Sequence, residues 1–147
     1  MPSADDYLFA ALSRARNRIF RESAAEVRPS GLTLTQFEVL EALDAHGPLS
    51  MGGIQAAIFG TQGNVPLVAR NLERDGLVSL GRSDTDARVH MVSLTEAGRT
   101  LVRATYPRVM GAIGRRFSAL DEGEKRQLWL LLSKVARDDG RGQREES

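Results

Sequence analysis

Arginine supplies all but two of the twenty basic residues in this 147-residue sequence, the exceptions being Lys125 and Lys134. A guanidinium is a planar fork that bonds guanine or phosphate in bidentate fashion, which an ammonium does not. A G+C-rich coding sequence also favours arginine, so position matters more than number. Two stretches stand out. Between Gly63 and Asp75, Val65, Val68, Ala69 and Leu72 share one helical face. Pro66, Leu67, Arg70 and Arg74 then lie on or near the outward face, with Gln62 just before the helix. Glutamine can address adenine, and arginine guanine or phosphate. Asn64 suits either a helix cap or a contact with a base or phosphate. In the second stretch Arg82 and Arg88 flank a loop that holds Asp84 and Asp86. An arginine on a hairpin tip can enter a narrow minor groove, with Asp86 orienting it or bracing the hairpin. The same residues also suit a solvated turn with a surface ion pair of little worth. Arg14, Arg18 and Arg21 fit a solvated helix face better than a contact surface.

Other chemistries find little support. There is no cysteine, which excludes disulfides, thiolate metal sites and a cysteine nucleophile. His46 and His90 stand apart and read as a turn and a strand residue, so neither a metal site nor a cofactor is expected. Glu38 and Glu41 lie three apart on a helix, as many solvated pairs do, and nothing near them argues for a general acid–base pair. No Gly-rich phosphate loop or Ser-His-Asp grouping is present, so an enzyme is not expected. No apolar run approaches the ~20 residues of a membrane span, and the first residues lack the pattern of a signal peptide. Membrane association is not expected, and cytoplasmic residence follows. Net charge is only +1, so overall charge does not announce nucleic acid.

The elements that must position these residues are marked by caps and turns. Leu8, Leu12, Ala15 and Ile19 share a face of a helix from about Ala4 to Glu26, which must end before Pro29-Ser30-Gly31. Thr33 to Gln36 has capping-box spacing, with Leu32 and Phe37 at the positions of a hydrophobic staple. That helix carries Phe37, Leu40 and Leu43 inward and breaks at His46-Gly47-Pro48, with Gly47 as a left-handed residue. A short helix starts at Ser50, with Leu49 and Ile54 stapling its entry, and ends at Gly60. The outward-facing helix described above closes at Gly76. Leu77 to Leu80 and Arg88 to Leu94 read as two strands of a hairpin, whose alternation does not say which face is buried. Thr95 caps a long helix reaching roughly Phe117, which Pro107 must kink or break. Asp121 to Glu124 opens a last helix with Leu128, Leu131, Leu132 and Val135 inward. Trp129 reads as core or dimer packing. Phe9, Phe20, Phe37 and Tyr106 suit the lining of a ligand pocket, although aromatic residues at such spacing are more often core.

Four segments in this order carry a resemblance. They are Leu32-Thr33-Leu34-Thr35-Gln36-Phe37-Glu38-Val39-Leu40, then Asn71-Leu72-Glu73-Arg74-Asp75-Gly76-Leu77-Val78, then Asp86-Ala87-Arg88, then Leu94-Thr95-Glu96-Ala97-Gly98. Together they resemble the MarR family of bacterial transcriptional regulators. The resemblance implies a mainly α fold with a small β-hairpin, a winged helix-turn-helix with N- and C-terminal dimerisation helices. It implies one domain over 1–147, with 4–28 and 95–138 dimerising and 32–94 forming the DNA-binding lobe; the polar, charged composition of 139–147 reads as a disordered tail. The implied partners are double-stranded DNA at a pseudo-palindromic operator, a second copy of the chain, and a small aromatic effector that relieves repression. The implied DNA contacts are Gln62, Asn64, Pro66, Leu67, Arg70, Arg74, Arg82 and Arg88, with Asp86 orienting the wing. Ser79, Leu80 and Ala87 stand where the family often has basic residues, and Pro66 where it often has a hydroxyl donor, so Arg70, Arg82 and Arg88 must bear more of the contact. The alternative is a winged-helix module that binds protein or small molecules with weak or lost DNA binding.

Overall fold

Residues 1–58 and 63–137 are described by a computed structural model of the chain. It divides into two compact units, Met1–Ile113 and Gly114–Ser147. Helix α1 spans Ala4–Val27 and opens on a capping box in which Ser3 Oγ accepts the Asp6 amide and the Asp6 carboxylate accepts the Ser3 amide at 2.7 Å. These bonds hold the Asp6 carboxyl below its usual pKa. The helix yields to a 3₁₀ turn, Arg28–Ser30, where Pro29 stands. Leu8, Leu12 and Ala15 remain exposed, Leu8 at 67% and Leu12 at 46%, beside exposed Tyr7 and Phe9.

Helix α2 spans Leu34–His46 and begins as its spacing requires. Thr33 Oγ1 accepts the Gln36 amide at 3.1 Å, and Gln36 Oε1 accepts the Thr33 amide at 2.9 Å. Leu32 and Phe37 are both buried, which is the staple. Thr33→Ala should therefore destabilise the chain by about 1 kcal/mol and lower Tm by about 3 °C, while Thr33→Ser should not; thermal melts of the two variants check this. Gly47 ends the helix with φ 77° as expected, but its ψ of −165° is extended rather than left-handed helical, because the chain turns at once into a strand.

That strand, β1, is only Leu49–Ser50. It leads into α3, Met51–Ala57, where Ser50 Oγ accepts the Gly53 amide at 3.0 Å. The expected stop at Gly60 lies outside the described residues. Helix α4 spans Val65–Arg74, and strands β2 and β3 span Val78–Arg82 and His90–Leu94. The sheet is antiparallel in the order β1-β3-β2, with Leu80 opposite Val92 and Leu49 opposite Val92 on the other side. β2 runs two residues past the expected Leu80, and β3 starts two residues after the expected Arg88, so the wing loop is 83–89. The buried face of β3 is the Val92 face, since Val92 is fully enclosed and Leu94 packs on the core. The centre of this core is Val27, Leu40, Leu43, Ile54, Ala69, Leu72, Val92 and Val102.

Helix α5 spans Glu96–Phe117 with Pro107 inside it. Of the kink or break expected at Pro107, the break does not occur. Proline removes one bond from this ladder, while Val102, Thr105, Val109 and Ala112 bury one long face on both sides of it. Helix α6 spans Glu122–Val135 and opens on the Asp121–Glu124 capping box. The expectation that its apolar residues point into the chain's core is overturned. Leu131 is 51% exposed, Leu132 37%, Val135 77% and Trp129 66%, with Leu128 half-buried. Helical spacing marks an apolar face but not what covers it. Among the described residues no helix is long and apolar enough to cross a membrane.

Candidate nucleic-acid interface

Helix α4 presents the face its sequence promised. Val65, Ala69 and Leu72 are buried, Val68 packs against the core, and Pro66, Leu67, Arg70 and Arg74 are exposed. Asn64 is the cap: its Oδ1 accepts the Leu67 amide at 3.2 Å. Pro66 falls at the second helical position, where a missing amide hydrogen leaves no bond unmade. Arg74 Nε sits 3.6 Å from Asp75, an exposed pair. Arg70 has no ion-pair partner among the described residues. Gln62 lies outside them.

The far end of α4 is fixed closely. Gly76, at φ 75°, occupies the left-handed position that a side chain disfavours. The Leu77 amide reaches back to the Leu72 carbonyl and the Gly76 amide to that of Glu73, both at 2.9 Å. Three further bonds join this terminus to its neighbours. The Leu80 amide donates to Glu73 Oε2 at 3.0 Å, tying β2 to the helix. Thr95 Oγ1 donates to the Gly76 carbonyl at 2.8 Å, and the Thr95 amide to the Leu77 carbonyl at 3.1 Å. Thr95 Oγ1 in turn accepts the Gly98 amide at 3.1 Å, so it also caps α5. The end of α4, the start of the hairpin and the start of α5 thus form one bonded junction.

In the wing Arg82 and Arg88 separate into two roles. Arg82 Nη1 donates to the Ala87 carbonyl at 2.6 Å and so bridges the two sides of the loop. Arg88 is held by Asp86: its amide and Nε reach Oδ1 at 3.0 and 3.2 Å, and Nη2 reaches Oδ2 at 3.3 Å. These bonds keep the Asp86 carboxyl below the usual carboxylate pKa. The Arg88 side chain is 90% exposed. Such a pair adds little to stability, but it holds the exposed guanidinium beside Asp86.

Sequence reasoning missed a second ion cluster. Asp44 on α2 accepts from Arg99 Nη1 at 3.2 Å and from Arg103 Nε at 3.1 Å, both on α5. Beside it lies a cavity of about 270 Å³ lined by Glu41, Asp44, Ala45, Val102, Arg103 and Tyr106. Of the four aromatic residues considered for a pocket, Tyr106 lines this one, Phe37 is core, Phe9 is exposed and Phe20 is half-buried with the Arg16 guanidinium 4.4 Å from its ring centre. A nearby-in-sequence hint existed, since Glu41 and Asp44 are three apart, but the partners come from residues more than fifty positions away. His46 and His90 are exposed, and among the described residues no three His, Cys, Asp or Glu side chains gather as metal ligands.

Comparison with known proteins agrees with this geometry. Residues 30–89 match the family model described as "MarR family". The HTH-type transcriptional regulator YkoM of Bacillus subtilis is 32% identical over 87% of this chain and 83% of its own length. MhqR of the same organism, also an HTH-type transcriptional regulator, is 31% identical over 87% of this chain and 88% of its own. The structure of Bordetella bronchiseptica BpsR, whose DNA binding is regulated by 6-hydroxynicotinic acid, superposes with a TM-score of 0.83 at 27% identity, covering 95% of this chain and 99% of that one. With the helix-turn-helix, the hairpin and these relatives in agreement, the chain belongs to the MarR family of winged helix-turn-helix transcriptional regulators.

Proposed function

We propose that two copies of the chain grip one pseudo-palindromic operator in the cytoplasm and repress transcription until a small aromatic effector releases them. One observation carries this reading: the end of α4 is bonded to the start of the hairpin whose loop projects Arg88, so an exposed helix face and a wing are offered by one connected lobe. Leu67, Arg70 and Arg74, with Asn64 at the helix entrance, would meet the major groove, and Arg88 the minor groove beside it, with Arg82 as a brace. Dimerisation is supported by the apolar residues that α1 and α6 leave exposed, among them Leu8, Phe9, Leu12, Trp129 and Leu131. Residues 4–28 and 95–138 would supply that interface and 32–94 the DNA-binding lobe. Regulation of a structural relative by 6-hydroxynicotinic acid supports an aromatic effector.

The test is selection of DNA fragments by the full chain, followed by binding to the selected site across a salt series and light scattering of the free protein. Two copies should bind a palindrome with half-sites about one helical turn, ~34–36 Å, apart. Binding should weaken steeply with salt, since each neutralised phosphate contributes about 0.9 to the logarithmic slope. A monomer that binds every sequence weakly would sink the proposal.

A further inference from the structure

We propose that an outward arginine row on α1 is a second DNA surface, which holds the phosphate backbone of a duplex other than the one met by α4 and the wing. The existence of that first duplex rests on the operator reading above; the capacity of the row to bind DNA does not. Arg14, Arg18, Arg21 and Arg28 follow one another at spacings of four, three and seven, with Ala11 and Ala25 completing the stripe, so all six share one side of the helix. Arg28 opens the 3₁₀ turn but keeps right-handed helical φ and ψ, so it stays in line. All six are exposed. Ser23 and Val27 are the buried residues of α1, and at 3.6 residues per turn they lie about 170° around the helix from the row. The row therefore faces away from the core. Leu8 and Leu12 lie about 130° from it, so a second copy that covers them leaves the arginines open.

Spacing alone suits a solvated face, but such a face gains from opposite charges three or four residues apart. This row does the reverse. Arg14 and Arg18 are four apart and Arg18 and Arg21 three apart, so each repels the next at a cost to helix stability. No acid stands in the stripe, and none of the four guanidinium groups has a hydrogen-bond or ion-pair partner among the described residues. Glu22 and Glu26, beside the stripe, already have partners of their own, Glu26 being 3.6 Å from Arg108. By contrast Arg16, on another side of α1, is committed to the Phe20 ring. In a chain of net charge +1, four free cations thus stand on one line ~21 Å long. Such a line fits an extended polyanion. One DNA strand carries a phosphate every ~3.4 Å along its axis, so each arginine finds one within reach along the whole row. A guanidinium also takes two phosphate oxygens at once. The small side chains of Ala11 and Ala25 let a broad backbone lie close. An anionic membrane would call for large apolar side chains beside the arginines, which the stripe lacks. An acidic protein segment would have to repeat its carboxylates in register with the row, which a phosphate backbone does by construction.

The experiment saturates the full chain with a short unlabelled operator duplex and then titrates a fluorescent duplex of unrelated sequence, read by anisotropy. The second duplex should bind with Kd on the order of 0.1 mM at physiological salt, the weak end of non-specific binding. Four neutralised phosphates should give a logarithmic salt slope of about −3.6. A triple variant, Arg14→Gln with Arg18→Gln and Arg21→Gln, leaves the turn at Arg28 untouched. It should cut that slope to about −0.9 and weaken the second duplex by about 10-fold or more, while operator affinity stays within about twofold. Its melting temperature should equal or exceed that of the wild type, since the repulsion along the row is gone; this also reports that it folds. An operator complex that takes no second duplex, or a triple variant that binds it as the wild type does, would overturn the proposal. So would polyglutamate or phosphatidylserine vesicles binding more tightly than the duplex at equal charge. A parallel fall in operator affinity would put the row on the operator itself and overturn the second-duplex reading. If no preferred operator exists, yet the triple variant still shows a shallower salt slope on the unrelated duplex, the row stands and the operator reading fails. A preferred operator with unchanged second-duplex binding in the variant does the reverse.

Discussion

Arg88→Ala is expected to weaken binding to the selected operator by about 100-fold while leaving the melting temperature within about 2 °C of the wild type. The affinity term counts twice, because a dimer places two wings on one site. A loss of ~1.4 kcal/mol per wing is tenfold, and a well-formed arginine contact is worth about that much. The stability term is small because the side chain is 90% exposed and its partner Asp86 is 40% exposed. Asp86→Asn keeps Arg88 but removes the carboxylate that holds Nε and Nη2; because losing that negative charge beside phosphate would by itself favour binding, a net loss of roughly fivefold would report the lost orientation. Fluorescence anisotropy at fixed salt measures both. If Arg88→Ala binds within threefold of the wild type, the wing does not read the operator, and the protein-binding alternative gains.

What the sequence disclosed was mostly what is local in the chain. The boxes at Thr33–Gln36 and Asp121–Glu124 and the terminus at Gly76 each depend on residues three or four apart, and each formed. The box at Ser3 escaped notice because its third residue is Asp6 rather than Glu or Gln, although the shorter carboxylate makes the same bonds. Strand β1 is two residues long and carries no alternation to detect. The buried face of β3 could not be read from a strand with Val89 and Met91 on one side and Val92 and Leu94 on the other. It was settled by pairing on both edges, which places Val92 between Leu49 and Leu80. The site divides in the same way. The outward residues of α4 follow from helical periodicity, and the Asp86–Arg88 pair from a spacing of two. Asp44 with Arg99 and Arg103, and Glu73 with the Leu80 amide, join segments that only the fold brings together. The uncovered apolar face of α6 has another origin, because a pattern that asks to be buried is silent on whether its own chain or a second copy does so.

Gly98→Ala is expected to destabilise the chain by about 3 kcal/mol, lowering Tm by about 10 °C, although intrinsic propensity argues the opposite. In a helix, alanine is favoured over glycine by about 1 kcal/mol. At Gly98 that gain is overwhelmed by contact: a Cβ would lie 2.1 Å from the Leu77 carbonyl oxygen and 2.9 Å from Leu94 Cδ1. The leucine methyl can move aside, but the carbonyl cannot, since it accepts the Thr95 amide at 3.1 Å and stands at the entrance to β2. Relief requires the first turn of α5 to back away from Leu77, which strains the bonds from Thr95 to Gly76 and Leu77. Those bonds also fix the end of α4, the helix proposed to meet the operator, so operator affinity should fall together with Tm, even though Gly98 belongs to the buried side of the junction. Gly114→Ala is the matched control within the same helix, because nothing lies within 4 Å of a Cβ there. It should follow propensity and raise Tm by roughly 3 °C. Differential scanning calorimetry of both variants decides the matter: opposite signs place the close approach at Leu77 as the cause, whereas a Gly98→Ala protein melting at or above the wild type would show that the junction yields.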